Sequence, residues 1–222
     1  PLTSDDARFV AFSGAWPRTR AFWDELARAA RGRTVVLLWE GNQHNAEYLL
    51  APGRPLDFVL HEEPDLPIDP DAEIVADLAV HERFGAKVPE LESILEKLRV
   101  AGARRVLVYG TPPPRGDRDL VRRGMMAESY YFDRVAEKLG LNLADIPISA
   151  PLFMYKLWRV MQRQVAATAL RHGVEFVPVA PAAQSSGFLR PELASTDATH
   201  ANAAYGAMAR DHLAAYLAEA RS

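Results

Sequence analysis

The chain has 222 residues, of which 49% are hydrophobic and 25% are charged, and its formal net charge at pH 7 is −3. This length supports one substantial domain, and the small net charge gives no reason to expect nucleic acid or an anionic membrane surface as a partner. The lack of cysteine excludes disulfides and thiolate metal sites. No apolar run approaches the ~20 residues that span a bilayer, and no signal peptide is visible, so the localisation stays open with the cytoplasm favoured.

The apolar pattern predicts strands that alternate with helices. Predicted strands cover 34–39, 56–60, 103–109 and 174–179, with a strand-like or helical segment at 8–12. Predicted helices cover 18–31, 46–50, 72–99 as one or two helices, 125–139, 152–172 and 201–220. This alternation predicts parallel βαβ units, and therefore one α/β domain over 1–222 with three layers and a mainly parallel sheet.

Two polar segments interrupt this pattern. Residues 62–71 are acidic and contain three prolines, which predicts an exposed excursion. Residues 115–123 are strongly charged and follow the stiff run Pro112–Pro114, so we expect either a mobile surface insertion or a lid over the site.

A polar turn near the C-terminus carries a chemical signal. Asp197 and His200 lie three residues apart, directly before a helix of small residues. In acyl transfer a histidine takes and returns a proton, while an acidic partner fixes its tautomer. The alternative is that Asp197 caps the next helix and His200 is an ordinary surface residue. For Asn202, a capping or bracing role is favoured over substrate contact.

A second signal follows the strand at 34–39. Ligand chemistry in open α/β sheets gathers at the carboxyl ends of strands, and this strand runs directly into Gly41, Asn42, Gln43, His44 and Asn45. Glycine lets the backbone turn sharply, and an asparagine amide can donate to a developing oxyanion. His44 is expected either to contact substrate or to brace the loop with a hydrogen bond.

These two stretches together resemble the third and fifth blocks of the SGNH (GDSL-like) hydrolases, and more narrowly a bacterial branch with no settled substrate. The resemblance implies a flavodoxin-like fold and a serine ester hydrolase or acyltransferase. Its substrate would be a small or carbohydrate-linked ester, and it would need no metal and no organic cofactor. His200 would be the general base and then the general acid, and Asp197 would orient it.

The resemblance also implies an oxyanion hole. Gly14 matches the glycine of the second block, whose N–H joins the hole, and Gly41 with Asn42 matches the third block. The spacer residue of that block is missing here, so Asn45 is an alternative amide donor.

The first block, which carries the nucleophilic serine, is absent from this chain. We expect the serine, with the N-terminal strand of the domain, to lie upstream of Pro1. Ser13 is an alternative nucleophile. A further alternative is a binding domain without a nucleophile, which would recognise an acylated sugar or a protein partner. A metal triad of His44, Asp197 and His200 is the least favoured alternative.

Overall fold

The computed structural model describes residues 20–39, 43–86, 88–127 and 129–219. Its strands are β1 (Thr34–Leu38), β2 (Leu56–Asp57), β3 (Glu73–Ile74), β4 (Arg105–Tyr109), β5 (Glu175–Val177), β6 (Gln184–Ser185) and β7 (Phe188–Leu189). Its helices are α1 (Arg20–Ala30), α2 (Gln43–Tyr48), α3 (Asp77–Gly85), α4 (Val88–Val100), α5 (Arg118–Ala127), α6 (Ser129–Leu139), α7 (Pro151–Arg171) and α8 (Ala203–Glu219). The chain is therefore a mixed α/β protein.

The central sheet has the order β1-β4-β5, and both of its pairings are parallel. Side chains alternate across the middle strand, as strand geometry requires. Val106 and Val108 pack with residues of α1, α4 and α7, whereas Leu107 and Tyr109 pack with residues of α8. Helices thus cover both faces of the sheet, which is the arrangement of a three-layer α/β fold.

The three main strands and the long helices are confirmed with small changes at their ends. Among the described residues, the strand expected at 56–60 is reduced to β2, which pairs in parallel with β3. The region 72–99 is two helices, α3 and α4. The segment at 8–12 lies outside the described residues. No helix in the described ranges is both long enough and apolar enough to cross a membrane.

The region around 115–139 differs from the prediction. The helix expected at 125–139 is two helices, and α5 already begins at Arg118. Asp117 starts α5, because its Oδ1 accepts the backbone N–H groups of Asp119 and Leu120 at 2.8 and 3.0 Å. The charge pattern predicted a solvated segment, whereas Arg122 donates to the carbonyls of a neighbouring loop, those of Leu143 and Ile146, at 2.9 and 2.6 Å.

The acidic excursion is largely exposed, as expected, and a buried ion pair fixes its base. Lys156 of α7 is 0% exposed and donates from Nζ to Asp57 Oδ1 at 2.8 Å and to the Pro67 carbonyl at 2.9 Å. Asp57 also accepts the backbone N–H groups of Phe58 and Asp69 at 2.8 and 2.9 Å. These bonds compensate the cost of removing both charges from water.

Candidate functional site

Segments of the connections that follow β1, β4 and β5 meet in space. Asn45 lies in α2, which follows β1, Pro114 and Arg115 follow β4, and Ala198 and Thr199 lie between β7 and α8 in the long connection after β5. All five line one small cavity of about 10 Å³, which is close to the volume that a single water needs. The structure therefore brings Asn45 beside the Asp-x-x-His turn, although the two stand near opposite ends of the chain.

Asp197 and His200 are in direct contact within that turn. His200 Nδ1 lies 3.1 Å from Asp197 Oδ1. The imidazole side chain is 62% exposed, which leaves its other nitrogen, Nε2, accessible to an incoming molecule. A carboxylate beside Nδ1 favours the tautomer with the proton on that nitrogen, which leaves Nε2 as a neutral acceptor.

The turn keeps the Asp197 carboxylate ionised. Burial by itself raises the pKa of Asp197, but hydrogen bonds from the backbone N–H groups of His200 and Thr199 and from the Ser195 hydroxyl, together with the nearby imidazole, lower it to about 2. The two backbone bonds to Oδ1 are 2.7 Å from His200 and 2.8 Å from Thr199. Asp197 therefore carries its charge throughout the pH range in which histidine works as a base.

Local sequence explains how the turn is formed. Ala198, between the acid and Thr199, is buried in the core formed by α5, α6 and α7, and the Ser195 N–H donates to the His200 carbonyl at 2.9 Å. Asn202 Oδ1 accepts the N–H groups of Ala204 and Tyr205 at 2.9 and 3.1 Å. Asn202 is therefore the cap of α8, as favoured from the sequence, and the alternative that Asp197 caps this helix is wrong.

His44 lies in the first turn of α2 and points into the core. Its side chain is 1% exposed, and neither ring nitrogen has a hydrogen-bond partner among the described residues. Burial lowers the pKa of His44 to about 3, so the ring is neutral at physiological pH. Helix α2 begins at Gln43 and carries the ring inward, so no hydrogen bond joins it to the described part of the loop. Substrate contact by His44 stays a prediction that this burial does not support.

The other members of the predicted oxyanion hole, Gly14, Gly41 and Asn42, lie outside the described residues, as does Ser13. Asn45 is thus the one predicted amide donor that the structure places. No group of three His, Asp or Glu side chains among the described residues is arranged to hold a metal ion, so the alternative triad of His44 with the Asp-x-x-His pair is not formed.

Arg115 is the site residue that the sequence analysis did not single out. Its Nη2 donates to the carbonyls of Ser195 and His200, both at 2.9 Å, and lies 3.9 Å from Asp197 Oδ1. The available signal was its position directly after the proline run that ends a predicted strand. Its charged neighbours suggested a solvated segment instead.

A larger cavity of about 370 Å³ lies elsewhere, between α7 and the end of β5. Its charged groups are engaged with each other or with nearby residues: Arg159 pairs with Glu63 at 2.5 Å, and Arg163 pairs with Glu62. Neither Asn45 nor the Asp-x-x-His pair lines it. The larger cavity and the Asp-x-x-His pair therefore lie in different places, and the acid–base pair is the better guide to a catalytic site.

No family model matches this chain, and no curated protein or solved structure matches it either.

Proposed function

We propose that this chain is an SGNH-type serine ester hydrolase or acyltransferase that acts on a small or carbohydrate-linked ester. One observation carries the proposal. An exposed imidazole, that of His200, has its Nδ1 3.1 Å from a carboxylate that is held ionised, and the turn that carries the pair borders a small cavity together with Asn45 and Arg115. This is the arrangement that a base needs for activating a hydroxyl nucleophile.

In the proposed reaction, His200 Nε2 takes the proton of a serine hydroxyl as the serine oxygen attacks the ester carbonyl. The tetrahedral intermediate collapses, His200 returns the proton to the leaving alcohol, and an acyl-enzyme remains. Water, or a second alcohol in the case of transfer, then attacks the acyl-enzyme with His200 again as the base. Asp197 holds the tautomer with the proton on Nδ1 and stabilises the imidazolium that forms.

The oxyanion of the intermediate would be stabilised by the Gly14 N–H, by Gly41 and Asn42, or by the Asn45 amide. Removing one such donor typically costs ~3–4 kcal/mol of transition-state stabilisation. Asn45 lines the same cavity as the Asp-x-x-His turn, which supports its candidacy.

A binding domain without a nucleophile is the second candidate, and one observation favours it. No hydrogen bond joins His200 to a serine hydroxyl in the described part of the chain, and the Ser195 hydroxyl bonds to Asp197 instead. Such a domain would recognise an acylated sugar or a protein partner through the same cleft.

Hydrolysis of p-nitrophenyl acetate and labelling by a fluorophosphonate probe, with the labelled peptide located by mass spectrometry, separate the two candidates. For a hydrolase, the full-length protein turns over the ester, and the probe marks a single serine. His200→Ala abolishes both signals, whereas His61→Ala, which changes an exposed histidine outside the site, leaves them intact. Absence of both turnover and labelling in the unmodified full-length protein would reject the hydrolase and favour the binding domain.

A further inference from the structure

A side chain of segment 115–123, which the charge pattern predicts to be solvated, holds the Asp-x-x-His turn. Arg115 Nη2 donates to the carbonyls of Ser195 and His200 at 2.9 Å each. These carbonyls stand at the two ends of the turn. The Nη2 group of Arg115 therefore links the two ends of the turn, which the Ser195 N–H bond to the His200 carbonyl also joins.

The Arg115 side chain is buried. It is 6% exposed, and its Nε has no hydrogen-bond partner among the described residues. Burial lowers the pKa of Arg115, and the Asp197 carboxylate, 3.9 Å away, raises it. Burying a guanidinium with one donor unmatched is costly, so this side chain is a poor choice for stability alone.

The geometry points to Arg115 as a positioning residue for the acid–base pair. By closing the turn, it holds the Asp197 carboxylate against His200 Nδ1 and so keeps the proton on that nitrogen and the acceptor at Nε2. Because the chemistry of the pair is itself proposed above, this role depends on that function. A lysine ammonium at this position would be a more strongly hydrated charge on a flexible stem, so burying it would cost more and fix the two carbonyls less firmly.

Arg122 offers a matched control. It also donates to two backbone carbonyls, those of Leu143 and Ile146, but this loop is not part of the Asp-x-x-His turn. Arg122→Ala therefore removes a comparable pair of bonds without touching the turn. A difference between the Arg115 and Arg122 variants isolates positioning from a general loss of arginine–carbonyl bonds.

The test measures ester hydrolysis and the tautomer of His200, the latter by ¹⁵N NMR of its ring nitrogens. We expect Arg115→Ala to lower kcat about 10–100-fold with little change in KM, as a small misplacement of a catalytic group does. We also expect its ¹⁵N signals to shift from the Nδ1–H form toward the Nε2–H form. Added guanidinium should restore part of both properties to Arg115→Ala and have no effect on Arg122→Ala.

Arg115→Lys supplies the same comparison if the alanine variant does not fold. An unchanged tautomer and a kcat equal to that of Arg122→Ala would overturn the positioning role. A tautomer shift in an Arg115 variant, with no ester hydrolysis by the unmodified full-length protein, would reject the proposed function and leave the positioning role standing.

Discussion

Two aspartates of this protein have similar hydrogen-bond partners, but the basic side chains that they face differ in exposure. Asp57 and Asp197 each accept two backbone N–H groups and each face a basic side chain. Asp57 meets Lys156 Nζ at 2.8 Å, and Asp197 meets His200 Nδ1 at 3.1 Å. Lys156 is 0% exposed, whereas His200 is 62% exposed.

The two pairs differ in whether the basic side chain keeps a solvent-accessible nitrogen. Lys156 also donates to the Pro67 carbonyl, and it thereby links the acidic excursion to α7. His200 is engaged on one nitrogen and keeps the other accessible. A carboxylate fixed by backbone N–H groups is thus a structural anchor when its partner is enclosed, and in the proposed function it belongs to a reactive pair when its partner keeps an accessible nitrogen.

The largest effect should come from breaking the reactive pair. Asp197→Asn keeps an oxygen for the backbone N–H groups but can stabilise the wrong tautomer of His200, so we expect kcat/KM for ester hydrolysis to fall ~10³–10⁴-fold. Asp211→Asn, which changes an exposed carboxylate beside Arg210, is the control and should leave hydrolysis unchanged. A loss below about tenfold for Asp197→Asn would mean that the carboxylate does not serve the imidazole.

Breaking the structural pair should cost stability instead. Lys156→Met leaves the Asp57 carboxylate buried without its counter-charge, and we expect the free energy of unfolding to drop by ~3–5 kcal/mol in urea titrations at neutral pH. The double variant Lys156→Met/Asp57→Asn removes the stranded charge and should recover part of that loss. If the double variant is no more stable than Lys156→Met, the charge of Asp57 is not what makes the single change costly.

Much of the framework could be predicted from sequence because its signals are local. The main strands are short apolar runs, and Gly140 and Gly173 follow their helices at φ +67 and +64, the backbone conformation that favours glycine after a helix. The contact between Asp197 and His200 is local as well, since they are three positions apart in one turn.

The remaining features depend on contacts between distant segments. Arg115, Lys156 and Asp57 carry charges that a sequence pattern assigns to the surface, yet each is buried by a partner far along the chain. His44 precedes the helix predicted at 46–50, whereas α2 begins at Gln43 and includes it. Packing against other elements, which one sequence does not display, decided all four positions.

A glycine of α5 tests how tightly the reactive pair is held. A Cβ on Gly124 would lie 2.4 Å from the backbone carbon of Asp197 and 2.5 Å from its oxygen, so Gly124→Ala must displace the turn. We expect the free energy of unfolding to fall by ~1–3 kcal/mol and ester hydrolysis to weaken as well.

Gly206 of α8 is the matched control, because a Cβ there meets nothing within 4 Å. Gly206→Ala should stabilise the helix by ~0.5–1 kcal/mol and leave hydrolysis unchanged. Differential scanning calorimetry and p-nitrophenyl acetate hydrolysis measure both changes. Equal behaviour of the two alanine variants would contradict close packing of α5 against the turn.

The smallest expected effect concerns the acid stability that Asp197 provides. Although burial raises its pKa, the backbone N–H bonds from His200 and Thr199 lower it from 3.8 to about 2. The unfolded chain therefore takes up this proton first, so the stability from the ionised carboxylate is complete above about pH 4 and is lost as the pH falls through about 2.

Asp197→Asn cannot titrate, so the difference in unfolding free energy between the unmodified chain and this variant should shrink by ~1–2 kcal/mol from about pH 5 to about pH 2. Urea titrations across this range measure the difference, with Asp211→Asn as the control that keeps the turn intact. A difference that stays constant with pH would show that the backbone bonds do not favour the charged form.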